Sequence, residues 1–466
     1  MSDLTHYPAM KHSGVDWLGR VPEHWDVVHL GRIGTLSKGR GGTKEDEAPE
    51  GMPCVRYGDL YSQHQYFIDT TKACVSFDRA SDYTPIQHGD LLFAGSGETL
   101  EEIGKSAVNL LTEPACCGGD IILFRPSVQI DARFLGYAAD CPQAIAQKSC
   151  MGRGFTIAHI YGDALKYLGI AFPPLAEQAA IVRYLDYVDR RVERLVRAKR
   201  KLIELLTEQK QAIIHRAVTR GLDPDAPLKD SGVEWLGRVP AHWEVVRLGH
   251  LLRERGETNK RGQITHVLSL LKDRGVIPYD EKGNIGNKKS EDITRYKVVR
   301  PNDIVMNCMN VIIGSVGLAS ETGCLSPVYY VLTPRNDDSS RYLNAIFQCP
   351  RFHRSLVRIG NGILAHRMRI PMDLLKCELL PHPSVPEQLA IVDYLDSAIT
   401  EADQAISRTE HEIDLVNEYR TRLIADVVTG KLDVREAADA LPEVDPLPED
   451  ESRVEADGHA GGLREA

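Results

Sequence analysis

Lys11–Ile33 reads KHSGVDWLGRVPEHWDVVHLGRI and Lys229–Leu251 reads KDSGVEWLGRVPAHWEVVRLGHL, with sixteen of the 23 positions identical. A duplication of this length makes the chain a tandem repeat, and that decides how everything else is read. All four tryptophans, Trp17, Trp25, Trp235 and Trp243, lie in these two anchors. Large aromatics at repeated positions are expected to anchor a core. A second pair of similar segments follows at a different offset. Pro173 begins PPLAEQAAIVRYLD and Pro383 begins PSVPEQLAIVDYLD, and the two align without a gap to Asp223 and Asp433. The order is therefore anchor, divergent region, helix, twice over. The divergent regions share only fragments, such as Gly89-Asp90-Leu91-Leu92 with Asn302-Asp303-Ile304-Val305, and Gly152-Arg153-Gly154 with Gly360-Asn361-Gly362. One scaffold carrying two unlike heads implies two related modules that bind different things.

After each Glu-Gln the apolar spacing becomes helical, with proline and acid at the start. The first helix places Ile181, Leu185, Val188, Val192, Leu195, Lys199, Leu202, Leu206, Gln209 and Ile213 at alternating steps of four and three. The second places Leu395, Ile399, Ala402, Ile406, Thr409, Ile413, Val416, Leu423 and Val427 on a weaker seam. Both are heptad patterns. Gly221 and Gly430 stand where C-terminal stops are expected. Residues 183–220 carry eleven Lys/Arg against five Asp/Glu, and residues 393–430 carry three against nine. Opposite charge and unpartnered seams predict that the two helices pair, antiparallel if the repeat has a two-fold relation. Each of about 37 residues would span roughly 55 Å. That length suffices to separate two heads by the ~34 Å of one DNA turn.

The chain has 466 residues and a net charge of −10. Such a charge argues against nucleic-acid binding by bulk attraction. Residues 435–466, however, hold ten Asp/Glu and three Arg, so the body without them is close to −3. Residues 434–466 are expected to form a disordered acidic tail. No N-terminal secretory signal and no apolar run of membrane length is visible. The ten cysteines include no CxxC pair, which points to buried, reduced thiols in a cytoplasmic protein.

The SGVxWLGxVPxHW anchor, the GDLL strand with Ile103-Gly104-Lys105 downstream, and the PPLxEQxxIVxYLD helix start resemble the specificity (S) subunits of Type I restriction-modification systems, over nearly the whole chain to about Glu436. The resemblance implies an α+β protein in which two target-recognition domains are separated by two long antiparallel coiled-coil helices. The boundaries that follow are a first recognition domain at 1–172, a spacer helix at 173–222, a second recognition domain at 223–380, a second spacer at 381–433, and the tail. The resemblance also implies a bipartite, asymmetric double-stranded DNA target. Its implied partners are adenine methyltransferase subunits and ATP-dependent restriction/translocase subunits. S-adenosylmethionine, ATP and Mg would be bound by those partners, with no cofactor in this chain.

Major-groove readers use Arg and Lys for guanine and Asn or Gln for adenine. In the first head the glycine-rich loop Ser37–Lys44 offers Lys38, Arg40 and Lys44, and Arg153 and Thr156 flank a second glycine pair. In the second head the candidates are Arg253, Arg255, Lys260 and Arg261 after the anchor, the pair Lys288 and Lys289, and Asn361, His366, Arg367 and Arg369. For each, an ordinary solvated charge is the competing reading.

Catalytic patterns are lacking. Gly97 and Gly104-Lys105-Ser106 have six residues between the glycines where a P-loop has four. Glu208-Gln209-Lys210 has a nuclease-like ExK form but lies within the heptad helix. No Asn/Asp-Pro-Pro-aromatic tetrapeptide or HExxH spacing occurs. The expectation is a non-catalytic reader; the alternatives are a non-DNA coiled-coil scaffold joining two binding domains and a self-sufficient nuclease or methyltransferase.

Overall fold

The computed structural model describes residues 4–42, 46–154, 157–272, 274–283, 288–309, 314–361 and 368–442. The chain divides into two compact units, residues 1–197 with 412–466, and residues 198–411.

In the first unit a five-stranded sheet runs in the order Gly34–Lys38, Ile121–Pro126, Leu91–Ala94, Ser106–Asn109, Tyr66–Ile68. Its last pair is parallel and the others antiparallel. Successive side chains of a strand point to opposite faces, and here both faces are covered. Leu91, Phe93, Ile122 and Phe124 face a core shared with the helices. Leu92, Ala94, Ile121 and Leu123 face a second core. That double burial is why Gly89-Asp90-Leu91-Leu92 leads into a continuous apolar strand. A second five-stranded sheet carries Met52–Val55 and Ala115–Cys117 at its centre.

The second unit repeats the logic with one four-stranded sheet, in the order Leu252–Glu254, Tyr329–Pro334, Ile304–Asn307, Val316–Leu318. Ile304, Met306, Tyr330 and Leu332 join the helix-side core, and Val305 and Val331 join the other. The anchors fold alike. Met10–His12 pairs with Arg20–Pro22, and Leu228–Asp230 with Arg238–Pro240. Gly14 and Gly19, like Gly232 and Gly237, have φ between +63° and +72°, which explains two glycines at repeated positions.

The long helices are Leu175–Arg220 and Val385–Val428, of 46 and 44 residues. They span about 69 and 66 Å. They exceed the expected length because the Glu-Gln segment is already helical. Gly221 and Gly430 follow with φ of +70° and +73°, the left-handed stop that was expected. Within the first unit Ile181, Leu185 and Val192 pack with Leu423, Ile424 and Val427. Within the second, Ile214, Ala217 and Val218 pack with Ile391, Val392 and Leu395. The start of each helix therefore meets the end of the other, and the pair is antiparallel.

The first seam departs from the expected heptad. Val196 is 8% exposed, whereas Leu195 is 44% and Leu202 45% exposed. The covered positions run Val188, Val192, Val196, Lys199, Ile203, Leu206, Lys210 and Ile213. One extra step of four after Val192 shifts the line by one residue, a stutter that rotates the covered face. The charge pairing is also mixed. Lys210 reaches Asp403 at 2.6 Å, in the expected sense, but Arg420 on the acidic helix holds Asp189 on the basic one at 2.8 Å.

Three other expectations change. Trp17 is 49% exposed, so the four tryptophans are not all core anchors. All ten cysteines are free thiols, but Cys150 and Cys377 are exposed. The expected tail starts too early, because Arg435–Asp439 is a helix and Val434 and Ala438 are buried in the first core. Residues 443–466 lie outside the described ones.

Candidate nucleic-acid interface

A glutamate on each long helix holds the anchor of its head. Glu177 accepts the Trp25 indole N–H at 2.9 Å, the Tyr7 hydroxyl at 3.0 Å and a His24 ring nitrogen at 2.6 Å. Glu387 accepts Trp243 at 2.8 Å and His242 at 3.1 Å. The neighbouring glutamine holds the N-cap residue of a helix in the same head: Gln178 accepts the Asp131 amide at 2.8 Å and Gln388 the Ser339 amide at 2.9 Å. His-Trp in the anchor and Glu-Gln in the helix are thus two halves of one joint, made twice.

On this common frame the exposed sites differ. In the first head Lys38 lies at the end of the edge strand Gly34–Lys38 and lines a cleft of about 690 Å³ with Ser96, His159, Tyr161 and Lys166. Ser96 Oγ lies 3.1 Å from His159 Nδ1, and the His159 and Tyr161 rings stack at 6.5 Å. Lys166 pairs with Asp163 at 3.2 Å. Arg153 is bridged to His159 through both backbone groups, at 2.9 and 2.7 Å. The structure therefore brings the two predicted segments of this head together at His159. Arg40 is exposed, with its backbone tied to Thr84 at 2.8 and 3.1 Å. Tyr61, which donates to the Ser96 carbonyl at 3.1 Å, is pushed up to about 12 by burial. Lys44 and Thr156 lie outside the described residues.

In the second head Lys288 and Lys289 line a cleft of about 370 Å³ with Lys272, Lys282, Tyr279, Tyr296, Tyr329 and Asn307. Lys282 and Lys289 stand 4.6 and 5.4 Å from the Tyr279 ring centre. The Tyr279 hydroxyl accepts the Lys289 amide at 2.8 Å. Asn361 and Arg369 are bridged through their backbones at 2.8 and 2.9 Å, matching Arg153 and His159 in the first head. Lys260 and Arg261 are exposed on the turn after Asn259. His366 and Arg367 lie outside the described residues.

Arg255 is committed elsewhere. Its guanidinium forks onto buried Asp303 at 2.8 and 2.9 Å, and that bonding holds it above the ordinary guanidinium value. Arg125 does the same for Asp90 at 2.8 and 2.6 Å. The aspartate after Gly89 and Asn302 is therefore a buried carboxylate that each head neutralises with its own arginine. Arg253 donates to the Thr333 hydroxyl at 3.3 Å.

Sequence reasoning missed Ser96, His159, Tyr161, Lys272 and Tyr279. None belongs to a motif, and each reaches its cleft from a different strand or turn.

Residues 22–205 match the Type I restriction modification DNA specificity domain. By this domain and by its curated relatives, the chain matches the Type I restriction-modification specificity-subunit family. It is similar to the Type I restriction enzyme MjaVIII specificity subunit of Methanocaldococcus jannaschii, 23% identical over 89% of this chain and 95% of that one. It is also similar to the EcoKI specificity subunit of Escherichia coli, 21% identical over 89% of this chain and 90% of that one. A chain solved in a study of complex assembly and conformational transition of the type I R-M system covers 88% of this chain and 99% of its own, with a TM-score of 0.63 at 18% identity. That likeness is one of fold.

Family and structural likeness support a DNA-specificity role within a Type I complex, recognising a target sequence, and the matched domain is that of a specificity subunit rather than of a methyltransferase or nuclease. Among the described residues no cluster of His, Cys, Asp or Glu is placed to hold a metal ion. No helix among them is long and apolar enough to cross a membrane.

Proposed function

We propose that this specificity subunit reads a bipartite, asymmetric DNA sequence, one half through each head. In this reading it directs adenine methylation by partner subunits and cleavage by an ATP-driven translocase-nuclease. The observation that carries it is the contrast between joint and cleft. The Trp–Glu joint and the doubly buried strand are repeated, while the exposed residues beyond them are a Lys38–His159–Tyr161 cleft in one head and a lysine–tyrosine cleft in the other. Repeated geometry with unlike contact chemistry fits one docking mode applied to two sequences. Lys38, Arg40 and Arg153 in the first head, and Lys260, Arg261, Lys288, Lys289, Asn361 and Arg369 in the second, are the proposed contacts. Lysine beside tyrosine can hold phosphate while presenting a flat face to sugar or base.

Partner subunits need surface as well. Leu195, Leu202 and Leu205 on the first long helix and Leu415 and Tyr419 on the second are 44–50% exposed. Apolar side chains left open on a helix pair suit protein docking. S-adenosylmethionine, ATP and Mg would sit in those partners, and the assembly would work in the cytoplasm, where the DNA is.

A map of methylated bases in the source genome with and without this gene tests the reading. Loss of one split N6-methyladenine motif is expected. An unchanged map when this chain is co-expressed with its neighbouring methyltransferase would overturn it.

A further inference from the structure

The second unit carries a cationic cleft lined by none of the proposed contacts. It measures about 660 Å³ and is lined by Val233, Glu234, Trp235, Arg351, Arg354, Ser355, Val357 and Arg358. The arginines come from the short helix Pro350–Ser355 and the turn Leu356–Ile359 that continues it. At steps of three and four they share one face. Arg358 is matched by Glu378 at 2.5 Å. Arg351 and Arg354 are exposed and have no acidic partner among the described residues. Glu234 is the one acid in the lining.

Their positive charge is felt nearby. Burial, then the charges of Arg351 and Arg220, hold His215 below the ordinary imidazole range. At the cleft wall Trp235 is 5% exposed, and its indole N–H is buried without an acceptor among the described residues. A buried donor left unpaired is costly.

The repeat shows that this is a feature of one module. Aligning Cys141-Pro142 with Cys349-Pro350 places Gln143, Ala146 and Cys150 where the second half has Arg351, Arg354 and Arg358. The tryptophan at the matching anchor position, Trp17, is open to solvent rather than packed beneath an arginine face.

We propose that this cleft is an anion site of the second module that takes backbone phosphates of the bound DNA, outside the bases either head reads. Two unpaired guanidinium forks match phosphate oxygens in shape and charge. The two arginines are one helical turn apart, so they can serve neighbouring phosphates of one strand. The contact fixes register without reading sequence. The first module lacks these arginines at the aligned positions, so the contact belongs to the second module. The inference rests on the chain being a DNA reader.

The test uses the assembled complex with its methyltransferase subunits and a fluorescent duplex of random sequence, titrated across a potassium chloride series. Arg351→Gln with Arg354→Gln is expected to lower the slope of log affinity against log salt by about two. Arg351→Lys with Arg354→Lys should restore it, and the methylated motif should not change. An unchanged slope in the glutamine variant overturns the proposal while leaving DNA reading intact. So does a glutamine variant that fails to assemble with the methyltransferase while the lysine variant assembles, which would assign the cleft to an acidic protein surface. A wild-type complex with no affinity for DNA would remove the reading and the proposal together.

Discussion

Glu177 accepts the indole N–H of Trp25 at 2.9 Å from 152 residues away. The bond joins the most repeated part of the anchor to the most repeated part of the helix. Glu387 and Trp243 repeat it at 2.8 Å, so the duplication is of a joint and not merely of a sequence.

The two joints should differ in strength. The Glu177 side chain is 11% exposed and Glu387 27%, and Glu177 also holds Tyr7. Glu177→Gln is expected to cost about 2–3 kcal/mol, because bonds to a charged acceptor are the strong ones. Glu387→Gln should cost about 1 kcal/mol less. Urea unfolding of both variants checks the order, and equal losses would contradict it.

Asp140 is buried and receives Lys148 at 2.8 Å and Lys105 at 2.5 Å. Burial lowers the Lys148 pKa, and Asp140 opposes that shift. Asp140→Asn strands a buried ammonium, with an expected loss of about 3–5 kcal/mol. Adding Lys148→Met should recover part of it. The second head has Leu356 at the position matching Lys148 by the Cys-Pro alignment, so an apolar side chain is the repeat's own alternative.

The stutter in the first long helix makes a sharp contrast between neighbours. Val196→Asp should destabilise by about 3 kcal/mol through a buried charge, whereas Leu195→Asp should fall within about 0.5 kcal/mol of wild type. Thermal melts of the two variants read it directly. Equal effects would restore the simple heptad.

His353 is buried, and burial lowers its pKa from 6.5. The unfolded chain therefore binds this proton more readily than the folded one. Its share of stability is complete above pH 6.5 and lost as pH falls from there towards the folded value. Burial depresses His64 and His215 in the same sense. The urea midpoint should thus fall on going from pH 7.5 to pH 5.5, the interval that brackets the free-histidine value. His353→Asn should flatten part of that fall.

Lys38→Gln with Arg40→Gln should weaken target binding by about 1–3 kcal/mol if either reads a base. Any change in the methylated motif should be confined to one half. Changes in both halves would count against one head per half-site. Insertion of seven residues in each long helix should alter the gap between halves and leave the halves themselves intact.

The sequence by itself determined the repeat, the pairing of the helices, their glycine stops and the match to the family. These depend on local spacing and on residues that recur, so they can be read along the chain. It did not determine the line of the helix seam. Leu195 and Val196 are equally apolar, and only packing against the partner helix selects which one is covered. Nor did it show that Arg255 belongs to Asp303. That pairing joins residues 48 apart, and a charged side chain looks the same in sequence whether it faces solvent, DNA or a buried carboxylate. The clefts were least legible of all. Lys38 shares a cleft with His159 and Tyr161 because sheet register brings distant strands together, and register is fixed by the long-range burial of Leu91–Ala94 on both faces. Recurrence made the scaffold readable, while the contact surfaces, which do not recur, were decided by tertiary structure.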